Sequence, residues 1–375
     1  MTRRLIGQIH LWIGLTLCLP LVLLGLTGSI LVFEDELRAM FTRPPLAAIA
    51  GPTRPVAEIV AAARATAPGY TATSYVAPSP ANRLATVRLV PERRDAATME
   101  ALRVAVDPVS LEAFSRQDDL LRQLFYLHST LLMKNREGRQ LIGWLGVAML
   151  IMGISGLVNW WPRRGQVRAA IAVNPRSRGF PLHRELHGAA GIWGLVVFIT
   201  VSFGGVYMAF PETVRTIVAA IFPARDLRAA ANAVRVEPVK GARAIDIDAA
   251  IALARAGAPR AEPRFVLLPA RPDRPYRVAL AEPGSDRHAP NVTVLIDPWK
   301  ARVIETFDPR QFSAGEIALA WQHALHAGEG LGWVWRILVF LSGFLPLLFA
   351  ITGVSMWWRK RRTRSLAAVA DPAFD

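Results

Sequence analysis

Cysteine is almost missing from this 375-residue chain: Cys18 is the only one, and it lies inside an apolar run. The polar stretches therefore hold no disulfide, no thiolate zinc site and no iron–sulfur cluster. Charged residues are absent from the middle of every long apolar run. A transporter usually places its substrate and ion sites there, so that absence argues against transport. No G-x-G-x-x-G follows a strand-like stretch, so no nucleotide-binding domain is legible. The zinc-protease pattern H-E-x-x-H is also missing: in His183-Arg184-Glu185-Leu186-His187 the glutamate stands one position late.

What is present is apolar. Hydrophobic residues make up 52 % of the chain, in runs over Ile9–Phe33, Leu141–Trp161, Gly188–Phe210 and Val334–Trp358. Each approaches or exceeds the roughly 20 residues that cross about 30 Å of hydrocarbon, so the expectation is four transmembrane helices in a lipid bilayer. The first run follows Arg3 and Arg4 like a secretory signal, but it outlasts a signal core and leads into Glu34-Asp35-Glu36 instead of a small-residue cleavage site. It reads as a retained helix.

Lys and Arg number 44 against 29 Asp and Glu, for a net charge of +15. Arg163, Arg164, Arg168, Arg176, Arg178 and Arg184 crowd the connection between the second and third runs, and Arg359, Lys360, Arg361, Arg362 and Arg364 follow the fourth. Positive charge gathers on the cytoplasmic side of short loops, which puts both termini and this loop in the cytoplasm and the two long connections outside. Because these charges hug membrane edges, they argue against nucleic-acid binding.

The long connections read as α+β. Val56–Ala67 has helical spacing, and Tyr70–Ala77, Ala85–Pro91 and Leu102–Asp107 have strand-like content. Ile247–Ala256 then reads as a helix, followed by strands over Arg264–Leu268, Tyr276–Ala281, Val292–Asp297 and Arg302–Phe307. The expected organisation is a first transmembrane helix (1–33), an outer module (34–117), an outer amphipathic helix with the second transmembrane helix (118–162), a basic cytoplasmic loop (163–187), a third transmembrane helix (188–210), a second outer module (211–312), an outer helix with the fourth transmembrane helix (313–358), and a cytoplasmic tail (359–375).

The chain also repeats itself. His10-x-x-x-Gly14 opens the first run and His187-x-x-x-Gly191 the third, while Leu127-His128 precedes the second and Leu325-His326 the fourth. Val106-Asp107-Pro108 recurs as Ile296-Asp297-Pro298, and Ser155-Gly156 before Trp160-Trp161 recurs as Thr352-Gly353 before Trp357-Trp358. Two crossings per unit make such a duplication parallel. It sets His10 opposite His187 near the cytoplasmic face and His128 opposite His326 near the outer face. Haem iron between helices takes imidazole pairs of this kind, one from each side.

Each histidine has a plainer reading beside this one. His10 and His187 can be interfacial residues bonded to a carbonyl or headgroup, and His128 a satisfied core residue. His323 shares a helical face with His326 and stands as an alternative ligand or a neighbour that supports it. For His183 three roles remain open: a bond to a haem propionate, alternative ligation, or capping of the basic loop. Arg184 suits a propionate by charge. His288 lies in a turn-rich stretch and reads as a solvated loop residue. Trp160, Trp161, Trp357 and Trp358 read as interface anchors, and Trp12, Trp193, Trp321 and Trp333, near the proposed sites, as residues that pack against neighbouring helices or, alternatively, on porphyrin.

The order of apolar runs, the H-x-x-x-G openings, Thr27-Gly28 and Thr352-Gly353 inside helices, the Trp-Trp-basic endings and the paired outer modules resemble the PepSY-associated transmembrane helix family, over nearly the whole chain. Within it the chain is similar to the di-haem ferric-siderophore reductases of the bacterial inner membrane, also described as iron-regulated membrane proteins. That resemblance implies PepSY-like outer modules and two haem b groups. It also implies an oxidoreductase that carries electrons from a cytoplasmic donor, a reduced flavin or flavoprotein, to a ferric siderophore in the periplasm. Arg83, Arg88, Arg271, Arg274 and Arg277 are available to such anionic chelates. The rival reading is a haem-free membrane-anchored binding or regulatory protein that acts through its outer modules.

Overall fold

The computed structural model describes residues 2–41, 51–79, 82–92, 101–115, 120–133, 136–162 and 165–370, so Arg163 and Arg164 of the basic loop lie outside the described residues. The first half of the chain forms α1 (Thr2–Thr16), α2 (Cys18–Leu31), α3 (Glu34–Phe41), α4 (Val56–Ala65), β1 (Tyr70–Val76), β2 (Ala85–Pro91), β3 (Leu102–Val106), β4 (Ala113–Ser115), α5 (Leu120–Thr130), α6 (Arg136–Trp160) and α7 (Val167–Ala170). The second half forms α8 (Gly179–Ala209), α9 (Pro211–Ala219), α10 (Leu227–Ala233), α11 (Ile247–Ala256), β5 (Glu262–Leu267), β6 (Tyr276–Ala281), β7 (Val292–Asp297), β8 (Arg302–Phe307), a 3₁₀ turn (Pro309–Gln311), α12 (Ala314–Ala320), α13 (Gln322–His326), α14 (Gly332–Ser342) and α15 (Leu345–Ala370). These make two compact units, one of residues 1–33, 122–216 and 322–375, the other of residues 34–121 and 217–321.

The first unit is helical and of membrane type. Among the described residues, α6, α8 and the stretch Gly332–Thr363 are long and apolar enough to cross a bilayer; α1 and α2 make a fourth crossing if that bent pair is one span. The sequence reads Ile9–Phe33 as one uninterrupted helix, but the structure bends it by 69° between Thr16 and Cys18. Pro20 accounts for the break, because its ring clashes with the carbonyl four residues earlier, that of Thr16, where α1 ends. Pro346 stands in the same relation to Ser342, the last residue of α14. The third run is longer than its apolar core: α8 begins at Gly179, so His183 and Arg184 lie within its first turns.

Small residues let these helices approach closely, as hydrocarbon-embedded packing favours. A Cβ on Gly25 of α2 would collide with the carbonyl oxygen of Gly343, and Ser29, one turn on, donates to the Phe340 carbonyl at 2.7 Å. On α6, a Cβ at Gly146 would stand 3.0 Å from a Val206 methyl, and one at Gly153 would stand 2.6 Å from Ile199.

The second unit is an eight-stranded antiparallel sheet in the order β4-β3-β2-β1-β5-β6-β7-β8. The sequence reads two separate outer modules; in the structure their strands form one sheet, joined where β1 pairs with β5, Tyr75 opposite Val266. A meander of three or four strands leaves an edge of unpaired backbone groups, and this pairing removes one such edge from each half. β4 escapes the sequence reading because three residues carry no alternation. Helices α4 and α11 cover the sheet with Ile59, Val60, Ala63, Ala250, Ile251 and Ala254, packed against Val87, Leu89, Val106, Val278 and Ile296.

The matching Asp-Pro dipeptides do the same work. Buried Asp107 accepts the backbone N–H groups of Val109 and Ser110 at 2.8 and 3.0 Å, and buried Asp297 those of Trp299 and Lys300 at 2.9 and 3.2 Å. Each turn then passes through a non-glycine residue at positive φ, Leu111 at 63° and Ala301 at 47°. The two halves also meet directly: Asp248 of α11 accepts the first N–H groups of α4, those of Val56 and Ala57, at 2.8 and 2.9 Å.

Glu316 anchors α12. Its side chain is 2 % exposed and accepts Arg225 Nε at 2.7 Å, the Arg225 backbone N–H at 3.1 Å and the Ser313 backbone N–H at 2.9 Å. The Arg225 hydrogen bond pulls its carboxyl down to about 2, outweighing the opposing effect of burial. A depressed carboxyl stabilises the fold above its ordinary pKa and loses that contribution as pH falls through the folded value. The melting temperature of Glu316→Gln is therefore expected to fall furthest below wild type at neutral pH, with the gap narrowing from about pH 4.5 downward. Gly25→Val is expected to cost about 1–3 kcal/mol through overpacking, read as the detergent-solubilised melting temperature, whereas Gly257→Ala, with no atom nearer than 3.9 Å, is expected to leave it unchanged.

Candidate functional site: two facing histidine pairs

In the helical unit the structure brings together the four histidines that the repeat pairs. The rings of His10 on α1 and His187 on α8 stand with centroids 6.2 Å apart at 68°, and those of His128 on α5 and His326 on α13 stand 6.0 Å apart at 53°. His187 and Val201, whose carbonyl touches His326, are fourteen residues apart on α8. At 1.5 Å per residue, the pairs lie about 21 Å apart along that helix.

Each ring has a hydrogen bond on its Nδ1. His10 Nδ1 meets Ser155 Oγ at 2.9 Å, His187 Nδ1 meets Thr352 Oγ1 at 2.8 Å, His128 Nδ1 meets Thr27 Oγ1 at 3.0 Å, and His326 Nδ1 meets the Val201 carbonyl at 2.7 Å. A hydroxyl has one proton, and each of these spends it on the carbonyl four residues earlier: Ser155 on Ile151 at 2.6 Å, Thr352 on Leu348 and Thr27 on Leu23, both at 2.7 Å. The hydroxyls must accept from the imidazoles, and so must the Val201 carbonyl. All four rings therefore carry their proton on Nδ1, which leaves the Nε2 lone pair as the donor atom.

A glycine backs every ring. A Cβ on Gly28 would sit 2.9 Å from His128 Cε1, one on Gly205 3.4 Å from His326 Cε1, one on Gly156 3.3 Å from His10 Cε1, and one on Gly353 3.7 Å from His187 Cε1. Gly28 and Gly205 are 177 residues apart, as are His10 and His187, while Gly156 and Gly353 are 197 apart. Equal sequence spacings thus relate both the histidines and the glycines behind them.

The donor set fits haem. Two imidazoles on opposite sides of one metal, with bonds of about 2.0–2.1 Å and ring centroids about 1.1 Å behind the nitrogens, stand about 6.3 Å apart, and both observed pairs lie within a few tenths of that. Among the described residues no group of three or more His, Cys, Asp or Glu is gathered to hold a bare ion. Two imidazoles suit a metal whose other ligands come from a macrocycle.

Other residues singled out by the sequence fall elsewhere. His326 and not His323 faces the His128 ring; His323 is exposed. His183 lies one turn before His187 with a buried Nδ1 that meets no hydrogen-bond partner among the described residues, and Arg184 is exposed. Trp12, Trp193 and Trp333 are 57 %, 72 % and 63 % exposed. Phe349 is the aromatic group against His187, with centroids 4.8 Å apart. In the sheet unit, Arg274 and Arg277 bond Asn232 at 2.7 and 2.8 Å and Arg271 pairs with Asp273 at 3.2 Å, which gives three of the five surface arginines structural partners. His288 lies in the turn between β6 and β7.

Sequence reasoning missed the hydroxyls. Thr27-Gly28, Ser155-Gly156 and Thr352-Gly353 are visible as a recurring hydroxyl–glycine dipeptide inside apolar helices. What the dipeptide does, with the hydroxyl on Nδ1 and the glycine against the ring, becomes apparent only in three dimensions.

No curated protein matches the sequence at a significant level. The family model for the PepSY-associated TM region matches residues 8–360. With helices of spanning length, a separate antiparallel sheet and a match over nearly its whole length, the chain is a membrane protein that belongs to the PepSY-associated TM region family.

Proposed function

We propose that the protein carries electrons across the bacterial inner membrane through two b-type haems, from a cytoplasmic reduced flavin or flavoprotein to a ferric siderophore in the periplasm. The observation that carries this reading is the two imidazole couples, whose ring centroids stand 6.2 and 6.0 Å apart, close to the spacing of two imidazoles on one iron, while every Nδ1 is taken up by a hydrogen bond. His10 and His187 would hold one haem, His128 and His326 the other. When bound, haem supplies reversible one-electron exchange. The residues do the rest. Each couple would supply two imidazoles to its haem, and the hydroxyls of Ser155, Thr352 and Thr27 hold the Nδ1 protons of His10, His187 and His128 in place. Two sites about 21 Å apart along α8 divide a crossing of about 30 Å into shorter steps.

The same reading carries an architecture: four transmembrane helices, two PepSY-like modules and a parallel internal duplication. Corresponding contacts support the duplication. Gly146 on Ser202 and Val206 matches Gly343 on Gly25 and Ser29, position for position. Charge placement supports cytoplasmic termini and a cytoplasmic 163–187 loop, with both modules in the periplasm.

The test is a reduced-minus-oxidised visible spectrum of purified, detergent-solubilised protein with haem quantified per chain. Two haems per chain are expected, with His10→Ala or His187→Ala removing one and His128→Ala or His326→Ala removing the other. A colourless wild-type protein, expressed with ample haem, overturns the proposal.

A further inference from the structure

We infer that Ser155, Thr352 and Thr27 are positioning residues that set the reduction potential of the two sites through the imidazole Nδ1 protons, an inference that rests on the haem reading above. Each hydroxyl donates to a carbonyl of its own helix and accepts from a histidine on another, so it is a fixed and polarised acceptor. An acceptor on Nδ1–H moves electron density toward Nε2 and makes the imidazole a stronger donor, which favours the ferric state of an iron bound there. Hydrogen bonding beyond the ligands is one of the levers a protein has on such a potential.

The two pairs are not supported alike. His10 and His187 both rest on side-chain hydroxyls. In the other pair His128 rests on Thr27, but the residue 177 positions after Thr27 is Gly204. A Cβ at Gly204 would already stand 2.9 Å from His326 Cβ, so no hydroxyl side chain fits there, and His326 turns to the Val201 carbonyl instead. Side-chain substitution can therefore withdraw two acceptors from the first site and only one from the second. The asymmetry separates tuning from general loosening, because each substitution has a stated site to act on and a site to leave alone.

The experiment is a spectroelectrochemical titration of the full-length protein with both haems bound, on Ser155→Ala, Thr352→Ala and Thr27→Val beside the conservative Ser155→Thr, Thr352→Ser and Thr27→Ser. Withdrawing one acceptor is expected to raise the potential of its own site by about tenfold in the ferrous-to-ferric ratio, which is 59 mV for one electron. Ser155→Ala and Thr352→Ala move the His10–His187 site and add in the double variant, Thr27→Val moves the His128–His326 site, and the conservative variants stay at wild type. If an alanine variant sheds its haem, Thr352→Cys, a weaker acceptor of similar shape, is titrated in its place and is expected to shift upward by less. Wild-type protein that binds no haem overturns the function on which the inference rests. Variants that keep two haems with wild-type potentials overturn the inference alone.

Discussion

An imidazole buried between apolar helices has two nitrogens to satisfy and almost nothing nearby to satisfy them with. Each of the four paired histidines settles its Nδ1 on a neighbouring helix: a hydroxyl of α6, α15 or α2, or the backbone of α8. That single bond fixes the ring's orientation, its protonation and which atom remains to act. The glycines and the close helix approaches go with it, since a ring held this way needs a helix surface without a Cβ at its Cε1 and a partner helix near enough to reach.

Much of this could be read from the sequence. The apolar runs located the helices, and the repeated dipeptides with histidine pointed to the positions whose rings lie 6.2 and 6.0 Å apart in the fold. The three longer strands of the first half and all four of the second fall within a few residues of the alternating runs. Strand and helix periodicity are local properties, and local properties survive in a string of letters.

What escaped was decided at a distance. The union of the two modules through β1 and β5 depends on edges that no single run displays. The bend before Cys18 follows from Pro20, which the hydropathy of a long run conceals. Arg274 and Arg277 bond Asn232, which lies 42 and 45 residues away in the chain. The hydroxyls of Thr27, Ser155 and Thr352 were present as a motif without a role, because their partners lie 101, 145 and 165 residues away in the chain.

Each histidine pair draws one member from before α8 and one from α8 or beyond it: His10 waits for His187, and His128 for His326. During synthesis, then, the first pair cannot exist until half the chain has left the ribosome, and the second cannot until all but the last membrane crossing has been made. A chain that stops before His187 carries neither couple, and one that stops between His187 and His326 carries the first alone. The two couples are thus completed in order along the chain, the one between α1 and α8 before the one between α5 and α13.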